Sequence, residues 1–509
     1  MTEPASGRPV QAAMRRPLAT ACACLLTLAG VAYARDTAEI AGDLPDIGTP
    51  ANTVMTKTDE YQIGRMIVRG LRDQKQVLDD PEVADYLQHL GNRLAAQARG
   101  DDQSFEYFVV PDRAINAFAL PGGFIGVNAG LVLMSHDESQ LASVLAHETA
   151  HVKQRHIARA VQAQGQATLA STAALLAAIL IGAAAGGGGQ AIEGAVAMSQ
   201  GIAMQRSINF TRMEESEADR VGMGLLAAAG YNPYAMPEFF EAMARTEGLT
   251  DASVLDLLRT HPVTRERVAD ARARAAHYVY TTAAESSLYP WMRERLRVIT
   301  AEAGSDPLDY YESLARRREL AEAERYGRAL AQVRAGRAAA ALPTLRALLG
   351  AHPDITALYG SLGQALQSAG RQDEALQLFE RAAQLFPRNV PLTIRYSESL
   401  MQAGRAKQAH HLLLDVFNVI APTPEQIRLT ALAASAAGDT ADAYYYMSEY
   451  HISGGDLMLA TQQLELALAS PRLTNVQRQR FRARLEEVRD WLREERRMRP
   501  ARNSGGGGQ

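Results

Sequence analysis

The chain has 509 residues, with 53 Lys or Arg against 57 Asp or Glu, two cysteines and 47% apolar residues. That length and apolar share suffice for about three packed domains and exclude a disordered tail protein or a disulfide scaffold. A net charge of -4 with a pI near 6.3 gives no general electrostatic reason to bind nucleic acid or an anionic membrane surface.

Arg15 and Arg16 precede an uncharged Ala- and Leu-rich stretch from Pro17 to Ala34 that closes on Ala32-Tyr33-Ala34, just ahead of Arg35 and Asp36. A basic start, a short apolar middle and an A-x-A end predict a secretory signal over residues 1–34, cleaved after Ala34; a retained N-terminal anchor is the competing reading. Both cysteines, Cys22 and Cys24, would leave with it, which suits an oxidising compartment.

Pro45, Gly48 and Pro50 among polar residues predict an irregular arm over 35–60. From Glu60 to Gln97 the spacing of Ile63, Met66, Ile67 and Leu71, then Val83, Tyr86, Leu87 and Leu90, predicts two helices. Phe105 to Val110 reads as a strand, and Asn116 to Leu120 with Phe124 to Asn128 flank Pro121-Gly122-Gly123 as strand, tight turn, strand. Such a unit would offer a substrate an exposed edge, assigned to Asn116, Phe124, Ile125, Gly126 and Val127, for main-chain pairing; an ordinary hairpin is the alternative.

Within the helical pattern Glu138 to Val161 stands His147-Glu148-Thr149-Ala150-His151. On a helix, histidines four apart project from one face, so both imidazoles reach one metal while the intervening Glu points at metal-bound water. Leu141, Val144, Leu145 and Val152 give that helix an apolar face to bury. His156, five residues past His151, reads as off the ligand face.

A catalytic zinc needs a third protein ligand and an open position. Glu214, Glu215, Glu217 and Asp219 crowd the stretch from Met213 to Gly222, and spacing alone does not choose among them. Between the two motifs, Ala160 to Ile192 is a run of 33 residues without a charge. It is long enough to span a bilayer, but its Ala- and Gly-rich composition favours a helical hairpin over the active site, with peripheral membrane contact left open. His261-Pro262 precedes a helix containing Arg267 and reads, on residues alone, as an N-terminal turn.

Beyond Asp309, Ala-Gly pairs end at Gly336, Gly370, Gly404 and Gly438, each 34 residues after the last, with Ala341, Ala375, Ala409 and Ala443 five residues on. Gly363 and Phe379 supply a small and an aromatic residue where two helices would cross. This pattern resembles the tetratricopeptide repeat. A last pair around Gly455 and Ala460, with the charged helix Asn475 to Arg496, reads as a cap, and residues 497–509 as a disordered tail. His410 and His411, in a repeat helix, read as solvated or structural, and Trp291 and Trp491 as packing residues.

His147-Glu148-x-x-His151, the later Glu217-Ala218-Asp219 with Gly222, the upstream Asn116-Ala117-Phe118-Ala119-Leu120-Pro121-Gly122-Gly123 and the downstream His261-Pro262 with Arg267 together resemble the gluzincin metallopeptidases related to HtpX and the CAAX prenyl protease. The resemblance covers nearly all of the chain after residue 34, including Leu44-Pro45-Asp46-Ile47-Gly48. It implies a mainly α protein: an α+β peptidase domain with a small sheet over 61–300, then an α-solenoid of repeats over 309–496. It implies one Zn2+ held by His147, His151 and Glu217, Glu148 as general base, Asp219 and Arg267 as supporting partners, and His261 as a fourth ligand that holds a resting state. With export and repeats added, it implies a periplasmic endopeptidase for protein quality control. Its protein substrates would be misassembled outer-membrane β-barrel proteins, and its repeats would recruit clients or the assembly machinery. A repeat-based chaperone or adaptor with secondary proteolysis is the rival, and an integral-membrane protease a third reading.

Overall fold

The computed structural model of the chain describes residues 55–98, 103–163, 211–246, 257, 261–280, 285–302, 304–471 and 473–498. The expected signal, residues 35–54 of the arm, all of the uncharged run beyond residue 163 and the tail from residue 499 lie outside the described residues.

The arm ends earlier than expected, because helix α1 (Lys57–Asp73) starts inside it. Thr56 Oγ1 accepts from the Asp59 amide at 3.1 Å while Asp59 Oδ2 accepts from the Thr56 amide at 3.0 Å, a reciprocal cap that fixes the start. Helix α2 (Pro81–Ala95) follows, with Asp80 as its cap and Pro81 at its first position.

Strands β1 (Glu106–Val110), β2 (Ala117–Leu120) and β3 (Phe124–Asn128) form one sheet in the order β1-β3-β2, with β1 parallel and β2 antiparallel to β3. Gly122 and Gly123, at φ 80° and 96°, make the tight turn between β2 and β3. The expected strand, turn, strand unit is there, but the expected substrate edge is not. Phe124, Ile125, Gly126 and Val127 lie in the central strand, where neighbours on both sides take their main-chain bonds, and all of β3 is buried. The Asn116 carbonyl is likewise used, accepting from the Asn128 amide at 2.9 Å. Among the described residues, no strand pairs with the outer side of β2.

After the sheet come α3 (Ala129–Met134), α4 (Glu138–Lys153), α5 (His156–Ala163), α6 (Arg212–Ala228), α7 (Ala235–Thr246), α8 (Arg265–Ala275) and α9 (Tyr289–Ile299). Helix α4 is central: it packs on α2, α6, α7 and the sheet, and every residue from Glu138 to His151 is buried.

Five helix pairs follow Glu322. Gly336, Gly370, Gly404 and Gly438 adopt φ of 74°, 74°, 72° and 83°, the left-handed conformation that ends a helix and that glycine adopts without a Cβ clash. The amide after each reaches back across the helix end, as Arg371 N does to the Leu366 carbonyl at 2.8 Å. Gly363 lies so near the Phe379 ring that a Cβ there would stand 2.1 Å from it, which explains the small and aromatic pairing in the repeat.

The repeats and the peptidase helices share one buried apolar cluster that runs from Leu87 and Leu145 through Trp291 and Tyr326 to Phe379 and Leu392. A buried ionic cluster reinforces the join. Arg295 of α9 donates to Asp80 Oδ1 and Oδ2 at 2.8 and 2.7 Å, and Arg395 of the repeat helix Val390–Gln402 donates to Glu82 Oε1 at 3.0 Å and Oε2 at 2.7 Å. At the far end of the solenoid, Arg69 of α1 donates to the Gly454 carbonyl at 2.9 Å. Part of the repeat surface is therefore used within the chain. Among the described residues no helix is long and apolar enough to cross a membrane.

Candidate metal centre

Asp137 caps α4 through the Gln140 amide, 2.8 Å away, and sets the phase in which His147 and His151 emerge on one face. Tyr107 of β1 holds the hydroxyl of Thr149, between the two histidines, at 2.9 Å and so pins the motif to the sheet. Helix α6 crosses behind it. Gly222 makes the crossing close, because a Cβ there would stand 3.0 Å from backbone atoms of Ala146 and His147.

That crossing sorts the four carboxylates of α6. Glu214 caps its own helix, with Oε2 accepting from the Thr211 amide at 2.9 Å. Asp219 Oδ1 stands 2.9 Å from His147 Nδ1 and is gripped by Arg267 through both oxygens at 2.9 and 2.8 Å. Glu217, the expected ligand, points away from the cluster: its Oε2 meets Arg159 at 2.7 Å and His156 Nε2 at 3.1 Å. Glu215 takes the place expected of it. His147, His151, Glu215 and His261 are all buried, and one ligand atom from each lies within 4.8 Å of the others. The expectation of Glu217 is corrected for a helical reason: Glu215, Asp219 and Gly222 form the i, i+4, i+7 stripe that faces α4, and Glu217 falls off it.

His151 Nε2 and His147 Nε2 face each other at 3.0 Å, and His261 Nδ1 stands 3.4 Å from His147 Nε2 and 2.8 Å from Glu215 Oε1. Imidazole nitrogens aimed at one another beside a carboxylate suit a shared cation, and an N3O donor set matches zinc. Burial holds the His151 imidazole well below its ordinary range, so it is neutral and has a lone pair to offer. Burial would raise Glu215, but the neighbouring His261 charge and the hydrogen bond from His261 overcome it and keep the carboxyl ionised. Burial likewise opposes the charge on His261, yet Glu215 and Glu148 outweigh it and push the imidazole up.

Glu148 is 1% exposed, and neither of its oxygens receives a hydrogen bond from any described residue. A carboxylate buried without donors is costly to keep. A small apolar cavity opens beside it, lined by Val144, Phe239, Phe240, Met243 and Leu257. His156, expected to be off the ligand face, is not part of the converging group and is fully buried, with Nδ1 2.8 Å from His151 Nδ1.

The peptidase family M48 model matches residues 81–275, a tetratricopeptide repeat model matches 366–433, and a bacterial transcriptional activator domain model matches 262–390. The chain is 31% identical to the beta-barrel assembly-enhancing protease of Escherichia coli K12 over 89% of its own length and 92% of that protein. It is 36% identical to a putative beta-barrel assembly-enhancing protease of Vibrio cholerae over 61% of its own length, spanning 64% of that protein. The mitochondrial metalloendopeptidase OMA1 of Schizosaccharomyces pombe is 31% identical over 36% of the chain and 50% of its own length.

Proposed function

Because the chain belongs to the beta-barrel assembly-enhancing protease family, a branch of the M48 metallopeptidases with tetratricopeptide repeats, we propose that it is a periplasmic zinc endopeptidase that cuts misassembled outer-membrane β-barrel proteins. His147, His151 and Glu215 hold the zinc, and the repeats recruit clients or assembly factors. One observation carries the ligand assignment: among the described residues, these three side chains and His261 are the buried group whose donor atoms converge, while Glu217 is engaged elsewhere.

Zinc, when bound there, supplies Lewis acidity for activating water and polarising a peptide carbonyl. Glu148 takes the proton of the attacking water on an unshared oxygen and passes it to the leaving amine. Asp219 and Arg267 orient His147 through its Nδ1, keeping Nε2 turned to the site. His261 sits where substrate must enter, with Nε2 3.6 Å from Glu148 Oε1, and is the resting-state plug that has to leave before turnover. An extended substrate pairs with the outer edge of β2, Ala117–Leu120, and not with β3.

Replacing Glu148 with Gln preserves zinc and partner binding and lowers cleavage by about 10²–10⁴-fold. If Glu148→Gln relieves an outer-membrane assembly defect as well as the unmodified chain does, proteolysis is not the main function. His261→Ala raises basal proteolysis; unchanged or lowered activity with zinc retained removes the plug from the mechanism.

A further inference from the structure

Helix α4 ends at Lys153 and α5 begins at His156, and between them Arg155 adopts φ 51°. A left-handed conformation is unfavourable for a non-glycine residue, so something must hold it. Arg155 Nη2 donates to the Met55 carbonyl at 2.6 Å and Nε to Glu60 at 3.2 Å, anchoring the kink to the start of α1. On a straight helix a residue five places on stands about 140° around the axis. The kink brings His156 back against His151, with ring centroids 4.7 Å apart.

The directions of the hydrogen bonds follow from the groups. An ionised carboxylate only accepts, so His156 Nε2 carries a proton and donates to Glu217 Oε2 at 3.1 Å. Two facing imidazole nitrogens 2.8 Å apart need one donor and one acceptor, and with His151 Nε2 kept for the metal it is His151 Nδ1–H that donates and His156 Nδ1 that accepts. The lone pair of His151 is left on Nε2, the atom that faces His147 Nε2.

We propose that Glu217 and His156 form a hydrogen-bonded relay that fixes His151 in its Nδ1–H tautomer and aims its Nε2 at the metal. His156 is thus a positioning residue, and Arg159 steadies the far end by donating to Glu217 at 2.7 Å. Asp219, 2.9 Å from His147 Nδ1, stands in the corresponding place behind His147. It rests on the ligand set proposed above, and it gives Glu217 a role other than ligation.

The test is zinc affinity in the full chain, measured by competition with a chelator, alongside the visible spectrum of the Co2+-substituted protein and the melting temperature of the metal-free form. His156→Leu should bind zinc about 10–100-fold more weakly and shift the cobalt bands. His156→Asn, whose Oδ1 can accept from His151 Nδ1, should restore affinity to within about threefold. Glu217→Leu cuts the relay at its partly exposed end and should weaken zinc by about three- to tenfold without lowering the metal-free melting temperature. Wild-type affinity and spectrum in His156→Leu, or in Glu217→Leu should His156→Leu not fold, overturns the relay, as does an Asn variant no better than Leu. Glu215→Gln separates the two ideas: if it keeps zinc at full affinity the ligand set fails, and if it loses zinc while His156→Leu does not, only the relay fails.

Discussion

Two of the buried ionisable clusters among the described residues are built to opposite plans. Asp80 and Glu82 meet Arg295 and Arg395 as two anions and two cations, all buried and joined by contacts of 2.7 to 3.1 Å. Arg295 also donates to the Tyr326 and Ser361 hydroxyls at 3.2 and 3.0 Å, so its guanidinium is well satisfied. At the metal centre, two imidazole nitrogens face each other at 3.0 Å and the Glu148 carboxylate receives no hydrogen bond from a described residue. The first cluster is complete within the chain and acts as a weld between α2 and the repeats. The second is incomplete by protein groups alone, which is the mark of a site that binds and reacts.

The largest effect belongs to the incomplete cluster. Glu215→Gln keeps the shape but removes the anion that three imidazoles share, and zinc content and proteolysis should both be lost, with activity down by about 10³-fold or more. The fold should survive, because the weld lies elsewhere. A variant that loses its fold together with its zinc would mean the metal centre also holds the structure, and the contrast between the clusters would collapse.

The complete cluster should fail differently. Arg295→Met leaves Asp80 and part of Glu82 buried without their main counter-ion, and should destabilise the chain by about 3–5 kcal/mol in denaturant unfolding while leaving zinc stoichiometry intact. Acid sharpens the point. Burial alone would raise Asp80, but Arg295 and Arg395 prevail and hold it at about 2, below its ordinary 3.8. A depressed carboxyl contributes stability that is present above its unfolded value and is lost as pH falls through the folded one. The stability difference between the unmodified chain and Asp80→Asn should therefore be constant near neutrality and shrink between about pH 4 and about pH 2. A difference that does not change across that window would show that Asp80 is not held ionised by the arginines.

A smaller effect is expected at the helix crossing. Gly222→Ala places a Cβ 3.0 Å from the backbone of Ala146 and His147, so α6 must shift by a few tenths of an ångström. Overpacking of this kind costs about 1–3 kcal/mol and here also moves Glu215 relative to the histidines, so zinc affinity should fall with stability. Unfolding and chelator titration together check both.

These residues also mark what was legible in the sequence. The zinc motif was, because four-residue spacing on a helix is a local property, and so was the solenoid, because each 34-residue step ends on a glycine that only its own turn requires. The proposed third ligand was legible in principle: Gly222 marks the face of α6 that meets α4, and Glu215 and Asp219 share that face whereas Glu217 does not. His156 was not, since its role depends on a left-handed residue at Arg155 held by contacts to Met55 and Glu60, about a hundred residues away. The strand pairing escaped because a hairpin reading of β2 and β3 carries no sign that β1 would add on the far side of β3. The weld had no local signal at all, its members being drawn from positions 80, 82, 295 and 395.

The smallest prediction isolates what makes the weld matter. Arg489 and Glu465 pair at 2.7 Å near the end of the solenoid, the same separation as Arg295 and Asp80. Their side chains are 48% and 52% exposed, against 3% and 9%. Water screens the exposed charges and already solvates both partners, so breaking that pair strands nothing in a low-dielectric interior. Glu465→Ala should change stability by no more than about 0.5 kcal/mol in denaturant unfolding, roughly a tenth of the loss in Arg295→Met. Equal losses at the two sites would mean that contact distance sets the energy. A large gap would place it in the desolvated carboxylates of Asp80 and Glu82, which cannot turn to water once Arg295 is gone.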